Sequence, residues 1–181
     1  MNTLSKYNIV FKGLIPGMHK FNFHVENDLF NYFGKEIIND SDISAKVVLE
    51  KQDALIILTF DISGTVNIQC DRCLDYYDQP INSKNKIFVK YENKEEENKE
   101  IKDEKNEDVI IIRPEDSEIN IGKLIHDFII LALPLKKMHP DDENGNSLCN
   151  PEMIRRIKKL STAEKKTDDR WDKLKKLLNN N

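Results

Sequence analysis

Alternating apolar and polar residues in the first ninety positions predict a sheet. Apolar side chains recur at every second position in several short segments, which is typical of strands that bury one face. Short connections between these segments favour antiparallel pairing. Gly64 interrupts the longest, β-branched segment and predicts a bulge or bend there. The five predicted strands are 7–12, 19–25, 45–50, 54–69 and 81–91.

Helical spacing appears at three places along the chain. A short helix is predicted after Asn27, with apolar positions as far as Ile38. A hydrophobic helix is predicted from residue 116 or 117 to Pro134, after a buried strand at 109–112. Pro151 behind Asn150 predicts a third helix, which ends near residue 160. We therefore expect an α+β fold, mainly an antiparallel β-sheet body with a packed hydrophobic helix and C-terminal helices.

Charge is distributed unevenly along the chain. The 181 residues include 28 Lys+Arg and 32 Asp+Glu, a net charge of −4 that excludes a uniformly basic coat. Residues 92–108 hold nine acids, four lysines and one apolar residue, which predicts a flexible acidic insertion or, alternatively, an acidic docking element. Residues 151–181 hold ten basic and five acidic residues. They predict a basic helical extension packed on or tethered to a body over 1–150.

The sequence motifs of several enzyme classes are absent from this chain. No glycine-rich phosphate loop, nucleophile elbow or metalloprotease helix is present, and the four histidines are scattered, so we expect a non-enzyme without a small-molecule substrate. No secretory signal is visible at the start. The longest apolar run, 128–135, is shorter than the roughly 20 residues of a membrane span. We expect a cytoplasmic protein without a membrane partner.

Two cysteines follow directly on a predicted strand. Cys70 and Cys73 have the spacing that lets two thiolates share a tetrahedral metal ion. Cys149 and His139 lie together in a later loop, so the four residues predict a Cys₃His site for one structural Zn²⁺ that joins the β region to this loop. Reduced thiols with a solvated histidine are the alternative. A thiol–disulfide enzyme is a second alternative, although its CxxC motif would open a helix.

The basic C-terminal segment predicts contact with phosphates, since positive charge on a helix neutralises nucleic acid without reading its sequence. A lysine-rich helix surface without a ligand is the alternative. The same segment ends in an amphipathic stretch that could present apolar side chains to a protein. The predicted RNA-binding residues are Arg155, Arg156, Lys158 and Lys159. The predicted partner-binding residues are Trp171, Leu174 and Leu178.

Several blocks of the sequence resemble one family. The string Val66-Asn-Ile-Gln-Cys-Asp-Arg-Cys-Leu74 is similar to the Cys-x-Arg-Cys-Leu motif of the DUF177 or YceD-like proteins. The acidic insertion, the block Leu131-Ala-Leu-Pro-Leu135, the Cys/His loop and Asp168-Asp-Arg-Trp171 follow in the order of that family. The blocks cover residues 60–178, and the stretch 139–153 resembles the Bacteroidetes branch.

The resemblance implies a ribosome-biogenesis factor that supports accumulation of 23S ribosomal RNA through its synthesis, processing or stability. It implies large-subunit rRNA, a pre-50S particle or a large-subunit ribosomal protein as the partner. The resemblance assigns no catalytic residue to this sequence. The alternative is an adaptor for a ribosomal protein or assembly factor, without direct RNA contact.

Overall fold

A computed structural model describes residues 3–34, 37–92 and 109–161 of the chain. The structure divides into two compact units, with the boundary between Met138 and His139. The predicted acidic insertion beyond Glu92 lies outside the described residues. The predicted partner-binding residues Trp171, Leu174 and Leu178 lie outside them as well.

The fold is α+β, as the sequence predicts, with mostly antiparallel strands. In chain order the strands are β1 (Asn8–Val10), β2 (Gly17–Val25), β3 (Ile38–Lys51), β4 (Leu55–Gln69), β5 (Tyr76–Tyr91), β6 (Val109–Ile112) and β7 (Glu118–Asn120). The main sheet has the order β2-β3-β4-β5-β6, in which β6 alone pairs in parallel. Strands β1 and β7 form a separate antiparallel pair.

Among the described residues, three α-helices accompany these strands. They are α1 (Asn27–Phe33), α2 (Gly122–Ala132) and α3 (Pro151–Ser161), and a 3-10 helix covers Thr3–Tyr7. Helix α3 begins at the predicted proline, and the Asn150 side chain accepts a hydrogen bond from the Glu152 N–H at 3.0 Å. This bond satisfies one of the N–H groups that a helix start leaves without a partner. No helix among the described residues is long and apolar enough to cross a membrane.

Two predicted helix boundaries are wrong. Helix α1 ends at Phe33 because Gly34 adopts a φ of 120°, and Ile38 begins β3 instead of continuing the helix. Helix α2 begins at Gly122 and not at residue 116 or 117, because 118–120 form β7 against β1. Hydrogen bonding to a distant strand therefore overrides the local helical spacing in that segment.

The inner face of the main sheet forms the core of the first unit. Paired apolar side chains of neighbouring strands are fully buried there, for example Val47 opposite Phe60 and Leu49 opposite Leu58. Helix α2 covers this face, and the ring of its Phe128 meets the Phe60 ring edge-on with a centroid distance of 5.1 Å. Helix α2 thus covers one side of the sheet, and the polar residues of the alternating pattern lie on the other side.

A bulge or bend was predicted at Gly64, and the bulge is absent. The pairing of β4 runs without a register shift past this glycine, which lies opposite Ile43 on one side and Ile81 on the other. The glycine serves a close approach instead, since a Cβ atom at this position would lie 2.2 Å from the Asp42 carbonyl oxygen. Any larger residue therefore forces two central strands apart.

Candidate metal centre

The CxxC motif occupies the connection between β4 and β5. The Cys70 N–H donates to the Asp75 carbonyl at 2.9 Å, and the Leu74 N–H donates to the Cys70 carbonyl at 3.0 Å. The Arg72 N–H lies 3.4 Å from the Cys70 sulfur, and both cysteines are buried. A backbone N–H directed at sulfur stabilises the thiolate, which is the form that binds metal. The two thiols are therefore held on one tight turn, without the helix start that thiol–disulfide enzymes use.

Leu74 closes this turn in a strained conformation. Its φ of 66° lies in the left-handed region, which side chains with a Cβ atom adopt at a cost of about 1–2 kcal/mol. The Gln69 side-chain amide donates to the Leu74 carbonyl at 2.9 Å and helps to hold it there. Since strain of this kind persists only where the surroundings enforce it, it indicates a functional constraint on the turn.

Replacing Leu74 by glycine is expected to make the protein more stable than replacing it by alanine. Both changes remove a side chain that is 56% exposed, so little packing is lost in either variant. Glycine adopts the positive φ without strain, and we expect a difference of about 1 kcal/mol between the two variants. Urea unfolding of both variants measures it. Equal stabilities would show that the turn stores no strain.

A hydrogen-bonded pair fixes the chain on the far side of the turn. The Asp71 N–H donates to the Lys137 carbonyl, and the Lys137 N–H donates to the Asp71 carboxylate at 2.8 Å. The Lys137 ammonium lies 3.6 Å from the same carboxylate. The segment after α2 is thereby held against the CxxC turn, two residues before His139.

The loop that contains His139 and Cys149 closes on itself. Asp142 accepts hydrogen bonds from the N–H groups of Asn144 at 2.9 Å and Asn146 at 2.7 Å. The Leu148 N–H donates to the Pro140 carbonyl at 3.3 Å. This turn returns the chain to its starting point, so the long sequence separation between the histidine and the cysteine is no obstacle to their meeting.

The turn of this loop depends on a charged Asp142. Hydrogen bonds from the Asn146 backbone and side chain, followed by the Asn144 N–H, lower the pKa of Asp142 despite a small opposing desolvation. Because this pKa is lower than in the unfolded chain, the stabilisation is present at neutral pH. It is lost as the pH falls through the lowered pKa.

The four predicted ligands come together. The sulfur atoms of Cys70, Cys73 and Cys149 and one ring nitrogen of His139 all lie within 4.8 Å of one another. The three cysteines are buried and the histidine is partly exposed. Tetrahedral ligands about 2.3 Å from zinc are about 3.8 Å apart, so only a small contraction is needed. Three thiols and an imidazole at this spacing fit a structural zinc site and leave no ligand position for a substrate.

Comparison with known proteins gives the family. Residues 58–178, about two thirds of the chain, match the model of the family described as "Large ribosomal RNA subunit accumulation protein YceD". The chain belongs to the YceD family. The family's description implies a role in the accumulation of the large ribosomal RNA subunit. No curated protein and no solved structure matches the chain.

Helix α3 lies within the segment that matches the YceD family, and its basic residues are at the surface. Arg155, Arg156, Lys158 and Lys159 are all exposed. The Arg156 guanidinium lies 2.6 Å from the Glu152 carboxylate one turn earlier, an exposed pair that contributes little to stability. RNA binding by these four residues remains a prediction.

Several residues that support the site were not predicted. Asp142 precedes an Asn-Gly-Asn sequence, and this turn signal could have identified it as the residue that closes the loop. The pairing of Asp71 with Lys137 joins positions far apart in the chain and leaves no local pattern. The left-handed conformation of Leu74 has no signal either, since a leucine favours no such turn.

Proposed function

We propose that this protein is a non-enzymatic ribosome-biogenesis factor that supports accumulation of 23S rRNA in the cytoplasm. The match of residues 58–178 to the YceD family carries this proposal. The protein acts by binding, on rRNA synthesis, processing or stability, and its partner is large-subunit rRNA or a pre-50S particle. In this proposal an α+β body over 1–150 and a basic extension over 151–181 share this task.

One structural Zn²⁺ is part of the proposal. Cys70, Cys73, His139 and Cys149 hold it, and their mutual distances of 4.8 Å or less support this assignment. When bound, the ion neutralises thiolates that are buried and joins side chains that are far apart in sequence. Its role is to stabilise the binding surfaces of the protein, since four protein ligands leave no position for catalysis.

Helix α3 supplies the proposed phosphate contacts. Its four basic side chains are exposed and fall within five consecutive residues, on a helix that carries Glu152 in its first turn and Lys158 and Lys159 in its last turn. Only two of the four are arginines, so the contacts suit phosphates better than base edges. The helix therefore contributes affinity and orientation, and sequence selection comes from elsewhere in the particle.

Replacing Arg155, Arg156, Lys158 and Lys159 by alanine is expected to flatten the salt dependence of RNA binding. Each phosphate contact contributes about 0.7–0.9 to the magnitude of the slope of log K against log salt, so the loss of four contacts reduces this magnitude by about 3. Alanine preserves the helix. Fluorescence anisotropy between 50 and 300 mM KCl measures the slope. A slope equal to that of the unmodified protein would remove these residues from the interface.

A protein adaptor is the second candidate function. Helix α3 leaves Ile157 39% exposed and Leu160 76% exposed, an uncovered apolar stripe that suits a protein partner. Trp171, Leu174 and Leu178 would extend this contact to a ribosomal protein or assembly factor. Such an adaptor binds its partner without touching RNA.

Affinity purification of the tagged protein at native abundance tests the proposal and separates the two modes. A factor that binds RNA directly should enrich large-subunit rRNA precursors and lose them after ribonuclease treatment. An adaptor should retain a ribosomal protein after the same treatment. Enrichment of neither large-subunit RNA nor large-subunit proteins would contradict both.

A further inference from the structure

The outer face of the main sheet carries an unusual concentration of lysines. Side chains alternate between the two sides of a strand. The pairing register therefore puts the even-numbered residues of β2, β3 and β5 on the same side of the sheet as the odd-numbered residues of β4 and β6. Helix α2 packs on the opposite side, where Phe128 meets Phe60. We call the outward side around these lysines the lysine face. Its lysines are Lys20, Lys46, Lys84, Lys86 and Lys90, all exposed.

The register brings these lysines close together although they come from three strands. In the strand register, Lys46 and Lys84 lie on either side of Asp61. Two residues along the strands, Lys20 and Lys86 lie on either side of the register pair Val48 and Thr59. Neighbouring strands are about 4.8 Å apart and alternate residues about 7 Å apart along a strand. Four of the five lysines therefore start from a backbone area of about 14 Å by 7 Å.

The charge of this face differs in sign from that of the chain. Its five lysines are accompanied by two carboxylates, Asp61 and Glu50, which gives a net charge of +3 on a protein whose total is −4. The Asp61 carboxylate lies 3.9 Å from the Lys84 ammonium, and the Glu50 carboxylate accepts a hydrogen bond from Gln52 at 2.8 Å. Farther along the sheet, acidic side chains recur on the same side at Asp40, Asp42 and Asp78. The positive potential is therefore confined to one end of the sheet.

Apolar side chains lie in the middle of this positive end. Val48, Ile57 and Phe88 are only half-buried, and Phe88 pairs with Ile57 on one side and Val109 on the other. Lysines of the same strand precede and follow Phe88. An open sheet with an aromatic side chain among cations combines the two contacts that single-stranded nucleic acid needs, which are phosphate neutralisation and an apolar surface for bases.

We propose that the lysine face binds a single-stranded segment of RNA. This inference rests on the proposed function and gives it a second contact surface besides helix α3. The ammonium groups neutralise phosphates, and the central apolar strip carries the bases. Lysine contacts of this kind follow the RNA backbone and do not depend on the base sequence. An acidic protein partner would match the same charge, and it is the alternative outcome of the test below.

Removing three of these lysines tests the inference. The variant K84Q/K86Q/K90Q is compared with K12Q/K123Q/K136Q, which changes the net charge equally at exposed lysines outside the main sheet. The full-length proteins bind a labelled single-stranded 20-nucleotide RNA across a salt series. For the first variant we expect the magnitude of the slope of log K against log salt to fall by about 2. We also expect its affinity at 150 mM salt to fall at least about tenfold. We expect the second to bind like the unmodified protein.

The outcomes separate this inference from the proposed function. If both variants keep the slope and affinity of the unmodified protein, the lysine face is not an RNA surface, while binding through α3 and the proposed function stand. If the unmodified protein binds none of this RNA, or if K84Q/K86Q/K90Q loses a protein partner and keeps its RNA, the inference is overturned. The role in 23S rRNA accumulation is then judged by rRNA levels in cells.

Discussion

Replacing Cys73 by serine is expected to remove the proposed zinc ion and lower the melting temperature by about 8–16 °C. A ligand present at 1,000 times its Kd stabilises the folded state by about 4 kcal/mol, and 1 kcal/mol corresponds to about 2–4 °C in a protein of this size. The serine variant keeps the shape of the side chain and loses the thiolate that binds zinc. Metal analysis of protein purified without chelator, with thermal unfolding of the same samples, measures both effects.

Two controls make this result specific. A chelator should lower the melting temperature of the unmodified protein to that of the serine variant and leave the variant unchanged. His139→Gln should lose zinc affinity, whereas His24→Gln, at an exposed histidine on the sheet, should keep it. A protein that holds no metal while all three cysteines react with an alkylating reagent would contradict the zinc site.

Replacing Gly64 by alanine is expected to destabilise the protein by about 4 kcal/mol. The new Cβ atom would lie 2.2 Å from the Asp42 carbonyl oxygen and 2.7 Å from the Ile43 Cα atom, both backbone atoms of the neighbouring strand. Relief requires β3 and β4 to separate in the centre of the sheet, and the φ of 156° adds strain for any residue with a side chain. Equilibrium unfolding in urea gives the free energy directly.

Gly13→Ala is the matched control for this change. A Cβ atom at Gly13 meets nothing within 4 Å, and the position has no positive φ. Alanine there restricts the unfolded chain and should leave stability unchanged or raise it by less than about 1 kcal/mol. If Gly64→Ala and Gly13→Ala were equally stable, the close approach of the two strands would be wrong.

The sequence predicted each strand of the main sheet because their alternating apolar positions are visible, although the predictions 45–50 and 81–91 missed the first residues of β3 and β5. Strand β7 was missed, and the reason is physical. Three residues are too short for a period to appear, and their pairing with Asn8, Ile9 and Val10 joins the two ends of the first unit. Helix α3 was predicted almost to the residue, because Pro151 and the cap residue Asn150 are local signals.

The candidate metal centre could be predicted only in part. Residue type selected the four ligands, since cysteine spacing and a single loop histidine are visible in the sequence. The geometry that prepares them was not visible, because it depends on the pairing of Asp71 with Lys137 and on the left-handed conformation of Leu74. Contacts between distant segments and strain enforced by surroundings have no period or composition that a sequence displays.

The level of 23S rRNA in cells that lack this protein is the sharpest test of its proposed role. We expect the ratio of 23S to 16S rRNA to fall when the gene is deleted and to return when the unmodified protein is supplied. We expect no comparable change in 16S rRNA, because the family description names the large ribosomal RNA subunit. An unchanged ratio, with a normal amount of 50S subunits in sucrose gradients, would overturn the proposed role in 23S rRNA accumulation.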